Sequence, residues 1–544
     1  VSQFTIDRRA ALGLIASGAA AALPATGAQA APKGGVRFAH GVASGDPTPR
    51  GAILWTRVTT QGSTPVDVSW HVAENAGAQP IESGATQARP ARDFTVKVEP
   101  KTLKAGQDYV YWFEAAGVKS PVGRFRTLPE GKLDQLVFAV ANCQLYGNGL
   151  FNAYETIAQE PKLDAVLFLG DYIYEYEALD YGGANARKLN RIVEPAHEIV
   201  TLADYRLRHA SYKSDADLQA AHARAAWICV WDDHETADNS WVHGAVNHQP
   251  ATEGDWDKRK AAAMQAYFEW MPIRDPIPGQ PWEAINRDFQ FGDLATLLMV
   301  ETRLLARSQQ ADEVSKPVDA ASIKAALVER ARPEREMLGQ TQREWLEREM
   351  KASVAAGKPW QVLGNQVVMA RVPGPTVAKE VIDSLPAPIA AQVRVADAGF
   401  RAGLPYNLDS WDGYPAARER LYASFRAAGS RPIVLSGDSH AFWANDLFDD
   451  KGTLVAAEFG VSSITSPSVG DSLPGVPLGP MLEKAGEEVV FCDQSAKGYI
   501  RLTLAREAAQ ADYVAVPILA KPYKADRIAR YETKADGVRL KRIS

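Results

Sequence analysis

Phe168-Leu169-Gly170-Asp171-Tyr172-Ile173-Tyr174-Glu175 ends an apolar run, Ala165 to Leu169, abruptly in a glycine and a carboxylate. A tyrosine follows three residues after the carboxylate and can turn back toward it, an arrangement that suits a metal site. A continuous apolar run reads as a strand buried on both faces, and in open α/β sheets ligands gather just beyond the carboxyl ends of such strands. Four further runs repeat the pattern. Leu136 to Ala141 leads to Asn142-Cys143-Gln144, and Trp227 to Trp231 leads to Asp232-Asp233-His234-Glu235. Trp360 to Leu363 leads to Gly364-Asn365-Gln366, and Pro432 to Ser436 leads to Gly437-Asp438-Ser439-His440. Five polar strand ends therefore point at one edge of an α/β layer.

These ends carry two kinds of donor. Asp232 and Asn239, seven residues apart, lie in a segment dense in hard oxygen ligands of the sort that hold a divalent cation. Asp438 and His440 are separated by two, so on an extended strand end both can face one site. Cys143, Asp171, Tyr174 and His440 together offer a thiolate, a carboxylate, a phenolate and an imidazole, which suits ferric iron. Asp232, Asn239 and Asp438 offer oxygen only, which suits calcium or magnesium. Zinc is the other occupant that this mixture of residues allows.

The gross numbers bound the rest. At 544 residues the chain calls for two or three domains. Its 46% hydrophobic and 23% charged residues describe an ordinary globular protein. A net charge of -6 gives no footprint for a nucleic-acid backbone, so a dedicated nucleic-acid partner is disfavoured. Three cysteines, Cys143, Cys229 and Cys492, are too few for a disulfide framework, and Cys229 inside an apolar run reads as a small buried hydrophobe. Arg8-Arg9, a weakly apolar stretch to Leu23 and an A-x-A site at Ala28–Ala30 make residues 1–30 a twin-arginine-type signal peptide. That leader implies export, to the periplasm or beyond, through the twin-arginine machinery. No later segment has the apolar length of a membrane span.

Residues 31–129 contain short β-like stretches at sandwich spacing and read as an immunoglobulin-like β-sandwich, in which His40 and Asp46 are structural turn residues. From residue 130 to 544 strands alternate with helical stretches around a central sheet, the pattern of an α/β catalytic domain. Helices are expected over Phe151–Gln159, over Leu202–Ala225, and from Thr341, where Thr341-Gln342-Arg343-Glu344 has the form of a capping box. Glu177–Val200 and Val372–Tyr414 read as insertions or lids around the site. Past Glu487 the chain returns to β-like segments and ends in a basic tail.

The set Asn-Cys-Gln, Gly-Asp-Tyr-Ile-Tyr-Glu, Trp-Asp-Asp-His-Glu through Asp-Asn, Gly-Asn-Gln and Gly-Asp-Ser-His, in that order, resembles the PhoD-like alkaline phosphatases of the metallophosphoesterase superfamily, and Phe38–Arg57 looks like their N-terminal domain. The resemblance implies a β-sandwich followed by a four-layer αββα core, and a metal centre that hydrolyses phosphate mono- and diesters. It also implies Fe3+ on Cys143, Asp171, Tyr174 and His440, with one or two Ca2+ on Asp232, Asn239 and Asp438. Asp171, Asp232 and His440 would be the catalytic residues. No role carries over for Asp233, His234 or Asn365, and Arg303, in Glu301-Thr302-Arg303, stands where an aspartate is expected. The implied protein is a monomer acting on small phosphoesters.

Three rivals remain. A purple acid phosphatase would want Gly-Asn-His-Glu or Gly-Asn-His-Asp where Gly364-Asn365-Gln366 stands, and has no counterpart of Cys143. A phospholipase D-type phosphodiesterase acting on lipid head groups fits the same residues. A calcium-binding surface scaffold would use the acidic loops structurally and hydrolyse nothing.

Overall fold

A computed structural model describes residues 35–316, 319–537 and 539–544. The leader at residues 1–30 lies outside the described residues. The expected β-rich segment is a sandwich. One face is a sheet of five strands, Val66–Ala73, Glu82–Ala88, Asp108–Ala115, Val118–Lys119 and Gly123–Arg126. The other face is built from β1 (Val42–Thr48) and its antiparallel neighbour Gly51–Arg57, and Val42, Ala52 and Leu54 meet Val68, Tyr111, Phe113 and Phe125 between them. Asp46 accepts hydrogen bonds from the Arg274 amide and the Arg287 side chain, so it is a structural anion, as expected.

All five apolar runs form strands, and they divide between two sheets, as the implied αββα core requires, although their local pattern alone suggested a single sheet edge. Gln135–Ala141 (β2), Ala165–Phe168 (β3) and Ala226–Cys229 (β4) are parallel neighbours, with Ala141 opposite Phe168 and Phe168 opposite Cys229. Trp360–Gly364 (β5) and Ile433–Ser436 (β6) are parallel neighbours in a seven-stranded sheet. The first sheet has ten strands, because β4 also pairs in parallel with β1 of the sandwich, Ala226 opposite Ser44 and Trp227 opposite Gly45. On its other side β2 pairs with the antiparallel strand Gly498–Ala505.

Period-two alternation sorts the side chains into layers. Phe289, Leu297, Val362 and Leu435 share one core with Phe138, Val140 and Leu502 of the ten-stranded sheet, and the rings of Phe138 and Phe291 meet at 5.1 Å. Leu298, Leu363 and Val434 point the other way, onto Leu346, Met350, Leu421 and Phe425 of two covering helices. Each such fully buried Leu or Val contributes about 1.5–3 kcal/mol. Helices outside each sheet give the αββα order.

Local expectations fail where side chains compete for the backbone. The helix expected over Leu202–Ala225 is two helices, α1 (Leu202–Lys213) and α2 (Ala216–Arg224). Asp215 breaks them by accepting from the Asp217 and Leu218 amides, an N-cap bond unavailable inside a helix. The Thr341 capping box does not form either, because that helix already starts at Gly339 and Thr341 lies in its first turn. The basic tail contains two strands, Asp526–Lys534 and Lys541–Arg542, that extend the ten-stranded sheet.

Lys213 at the end of α1 is 1% exposed. Its Nζ donates to the Tyr172 hydroxyl at 2.9 Å and sits 4.8 Å from the ring centres of Trp55 and Tyr172, with no ion pair among the described residues. Burial pulls its pKa down to about 7, opposed only by Cys229. Between that value and the unfolded value near 10.4 the unfolded chain binds more protons, so this group makes stability rise with pH by at most about 1.4 kcal/mol per unit. Thermal unfolding should therefore show wild type gaining stability from pH 7 to 9 relative to Lys213→Met; equal pH slopes for the two proteins would refute this.

Candidate metal centre

The strand ends converge through backbone that L-residues rarely adopt. Cys143, Asp171, Asn239, Asp438 and His440 all have positive φ, between 52° and 59°. The left-handed region costs about 1–2 kcal/mol per residue, so tertiary contacts must hold these turns. The Cys143 amide donates to Gly170 O and the Gln144 amide to Asp171 O, both at 3.0 Å. Glu235, fully buried, accepts from the amides of Asp171 (3.0 Å), Tyr172 and Asp232 (2.8 Å), tying the end of β3 to the end of β4.

The first donor group is compact. Asp171 Oδ2 accepts from Cys143 Sγ at 3.3 Å and from the Tyr174 hydroxyl at 3.0 Å, and lies 4.0 Å from His440 Nε2. His440 Nδ1 donates to Pro467 O at 2.8 Å, which fixes the tautomer and turns Nε2 toward Tyr174, 3.3 Å away. The Tyr174 hydroxyl also pairs with Ser466 Oγ at 2.7 Å. All four expected residues are brought together.

The second group gains a member. Asp232 and Asp438 meet as expected, and Asp233, to which no role was assigned, joins them. Asn239 joins through its main chain, donating from its amide to Asp233 Oδ2 at 2.6 Å, and is half-buried. A third group joins Asp171, Asp233 and His234. Asp171 and Asp233 are each shared between two groups, so the three form one continuous centre. His234 is oriented by Glu175, 2.7 Å from its Nδ1, and its ring lies 4.3 Å from that of Tyr174. Asn365 is drawn away, donating to Val367 O and accepting from Trp411 Nε1 at 3.0 Å.

Arg303, expected to be doubtful, stands at the middle. It is fully buried, bonded to Asp232 through Nε and to both oxygens of Asp409 through Nη1 at 2.9 and 2.8 Å. Its Nη2 lies 3.3 Å from Asp438 and 3.6 Å from Asp233. Asp409 also binds Arg307 at 2.6 Å and Gln310 at 2.7 Å. Asp409, like Glu235, was missed. Glu235 stood in the quoted motif, whereas Asp409 arrives from the Val372–Tyr414 insertion, where no sequence pattern marks it.

The electrostatics are those of a cation site. Burial raises the Asp171 and Asp438 carboxyls well above their usual range, with neighbouring carboxylates adding to it, and burial lifts Asp232 to about 8 despite Arg303. Asp233 goes down: burial opposes ionisation, but Arg303 and His234 outweigh it. Burial would lower His234, yet Asp233, Asp171 and Glu175 together raise it. Burial and nearby carboxylates push the Cys143 thiol up. Asp171 Oδ1, Asp232 Oδ2 and Asp233 Oδ1 are buried with no hydrogen-bond donor. Three orphaned carboxylate oxygens beside a thiol, a phenol and an imidazole fit metal ions.

A family model for the PhoD-like phosphatases matches residues 138–513, and one for their N-terminal domain matches residues 22–129. Alkaline phosphatase D of Bacillus subtilis (strain 168) is 34% identical over 526 residues, which span 93% of this chain and 82% of that protein. The solved structure of PhoD superposes with a TM-score of 0.77 at 31% identity, covering 94% of each chain. Fold and site together define a phosphoric ester hydrolase, which sets the scaffold reading aside. The chain belongs to the PhoD-like phosphatase family. Among the described residues no helix is long and apolar enough to cross a membrane.

Proposed function

We propose that this protein is an exported alkaline phosphatase that hydrolyses phosphate mono- and diesters at a mixed iron–calcium centre. Fe3+ would be held by Cys143, Asp171, Tyr174 and His440, and one or two Ca2+ by Asp232, Asn239 and Asp438, with Asp233 added. The observation that carries the reading is the convergence of thiol, carboxylate, phenol and imidazole on one point beside a cluster of oxygens only. Residues 1–30 would serve as a twin-arginine leader, 31–129 as a supporting sandwich and 130–544 as the catalytic domain of a monomer.

When bound, the cations would supply Lewis acidity and a water of lowered pKa. The chain's own residues do the rest. Pro467 O fixes the His440 tautomer, and Glu235 fixes the carboxylates of Asp171 and Asp232 through their main chain. Arg303, held by the Glu301 carboxylate at its amide (2.9 Å), spends its side-chain donors on Asp232, Asp409 and Asp438, and so fixes these carboxylates while placing a positive charge beside them. Complete burial of Cys143, His440 and Arg303 excludes bulk water, which strengthens every interaction made there.

The visible spectrum tests the metal assignment. Wild type purified from its exported form should show a tyrosinate-to-iron charge-transfer band that is absent in Tyr174→Phe, with iron and calcium both present by elemental analysis. A colourless zinc protein would sink the iron assignment. A calcium chelator should remove activity and spare the band.

A further inference from the structure

Arg208 on α1 is 1% exposed, and its guanidinium spends every donor on main-chain carbonyls. Nη1 donates to Tyr174 O and, at 3.0 Å, to Tyr176 O. Nη2 donates to Pro195 O at 2.8 Å and His197 O at 3.1 Å, and Nε to Glu194 O at 3.3 Å. No carboxylate forms an ion pair with it among the described residues. The acceptors belong to two segments: the loop that carries Tyr174, and the 194–197 stretch of the insertion expected to act as a lid.

We propose that Arg208 is a positioning residue that locks the 194–197 stretch to the 174–176 loop, so that closure of this segment sets where the Tyr174 hydroxyl stands in the metal centre. The inference rests on Tyr174 being a metal ligand. A guanidinium is the one side chain with five donors in a rigid plane, whereas a lysine brings three donors on a flexible stem and cannot span both segments. Two main-chain bonds stitch the same pair together, Ala178 N to Ala196 O at 2.8 Å and Ile199 N to Glu175 O at 3.0 Å. Arg208 itself cannot yield easily. Its helix is anchored at the start by a reciprocal Thr201–Asp204 capping box, and Tyr205, one turn earlier, donates to Thr236 O in the loop after β4. Arg259 closes the ring from the other side, binding Tyr205 Oη at 3.1 Å and Ile199 O at 3.0 Å. The Tyr174 residue is thus held twice, by its hydroxyl in the centre and by its carbonyl through Arg208.

Arg208→Lys and Arg208→Gln, loaded with metal and checked for fold by near-ultraviolet circular dichroism, are the variants to compare with wild type. The expected result is a shifted or weakened charge-transfer band, kcat down by about tenfold or more, KM changed by no more than about twofold, and iron retained. A folded, iron-loaded Arg208→Lys with the wild-type band and kcat would overturn the proposal. Wild type lacking the band would instead remove the ligand role of Tyr174, and the proposal with it, before any variant is compared. Hydrogen exchange on wild type gives a second readout that needs no variant: the amides of Ala178 and Ile199 should share one protection factor, as one locked unit. Widely different protection overturns the proposal, and this measurement decides alone if neither variant folds.

Discussion

Asp171→Asn is expected to reduce hydrolysis by more than about a thousandfold and, in the same protein stripped of metal, to raise the melting temperature. The first effect follows from position: Asp171 is shared by two donor groups, and a loss of about 4 kcal/mol in transition-state stabilisation is a thousandfold in rate. The second follows from sign. Burial already disfavours the Asp171 carboxylate, and Asp233, Glu235 and Asp438 add to it, with His234 opposing. An asparagine removes one of several crowded charges while its carbonyl keeps accepting from Cys143 and Tyr174. Relief of such a site stabilises by about 1–4 kcal/mol. Calorimetry with and without chelator, beside an assay on a phosphomonoester, reads both. A metal-free variant that melts below metal-free wild type would refute the charge argument, and retained turnover would refute the role.

Gly170→Ala should damage fold and catalysis together. Gly170 has φ +114°, a region open to glycine alone, and an added Cβ would stand 2.4 Å from Asp232 Cβ and 2.5 Å from the Asp232 amide nitrogen. Strain and overpacking together cost roughly 3–5 kcal/mol. The carboxyl ends of β3 and β4 would have to part, which moves Asp171 and Asp232 at once. Gly452→Ala is the control. Its φ is +76° but nothing lies within 4 Å of the added atom, so only strain applies, about 1–2 kcal/mol. Denaturant midpoints should separate the two variants, and only Gly170→Ala should lose activity; a Gly170→Ala protein as stable and active as Gly452→Ala would contradict the packing argument.

Much of the centre was legible because parallel strands buried on both faces write themselves as unbroken apolar runs, and the residue after each run must lie at the sheet edge. Cys143, Asp171, His440 and Asp438 were found in this way. Which run belongs to which sheet was not legible, since β2 to β4 and β5 to β6 have the same local pattern and differ only in their neighbours. Asp233 was hidden by its twin Asp232: alternation along a strand tells which of two adjacent aspartates points inward only when the turn that follows is known. Asp409 was hidden for another reason. It enters the centre by a long excursion whose own sequence is shaped by two helices, Lys379–Ser384 and Ala387–Arg401, that have no part in the chemistry. Arg303 looked out of place because a cation among ligands reads as an error until the four carboxylates around it are counted.

The pairing of β4 with β1, and of β2 with the strand Gly498–Ala505, bears on how the molecule comes into being. A sheet whose central strands take their partners from opposite ends of the chain cannot be completed while the chain is still being made, because Leu136 must wait for Leu504. Its loop-closure entropy is lost before most of the reward is collected, so folding should be slow and cooperative, with little native structure in nascent fragments. A ribosome-bound chain ending near residue 480 should still be digested readily by protease, even though every candidate metal ligand, the last being His440, has already been synthesised.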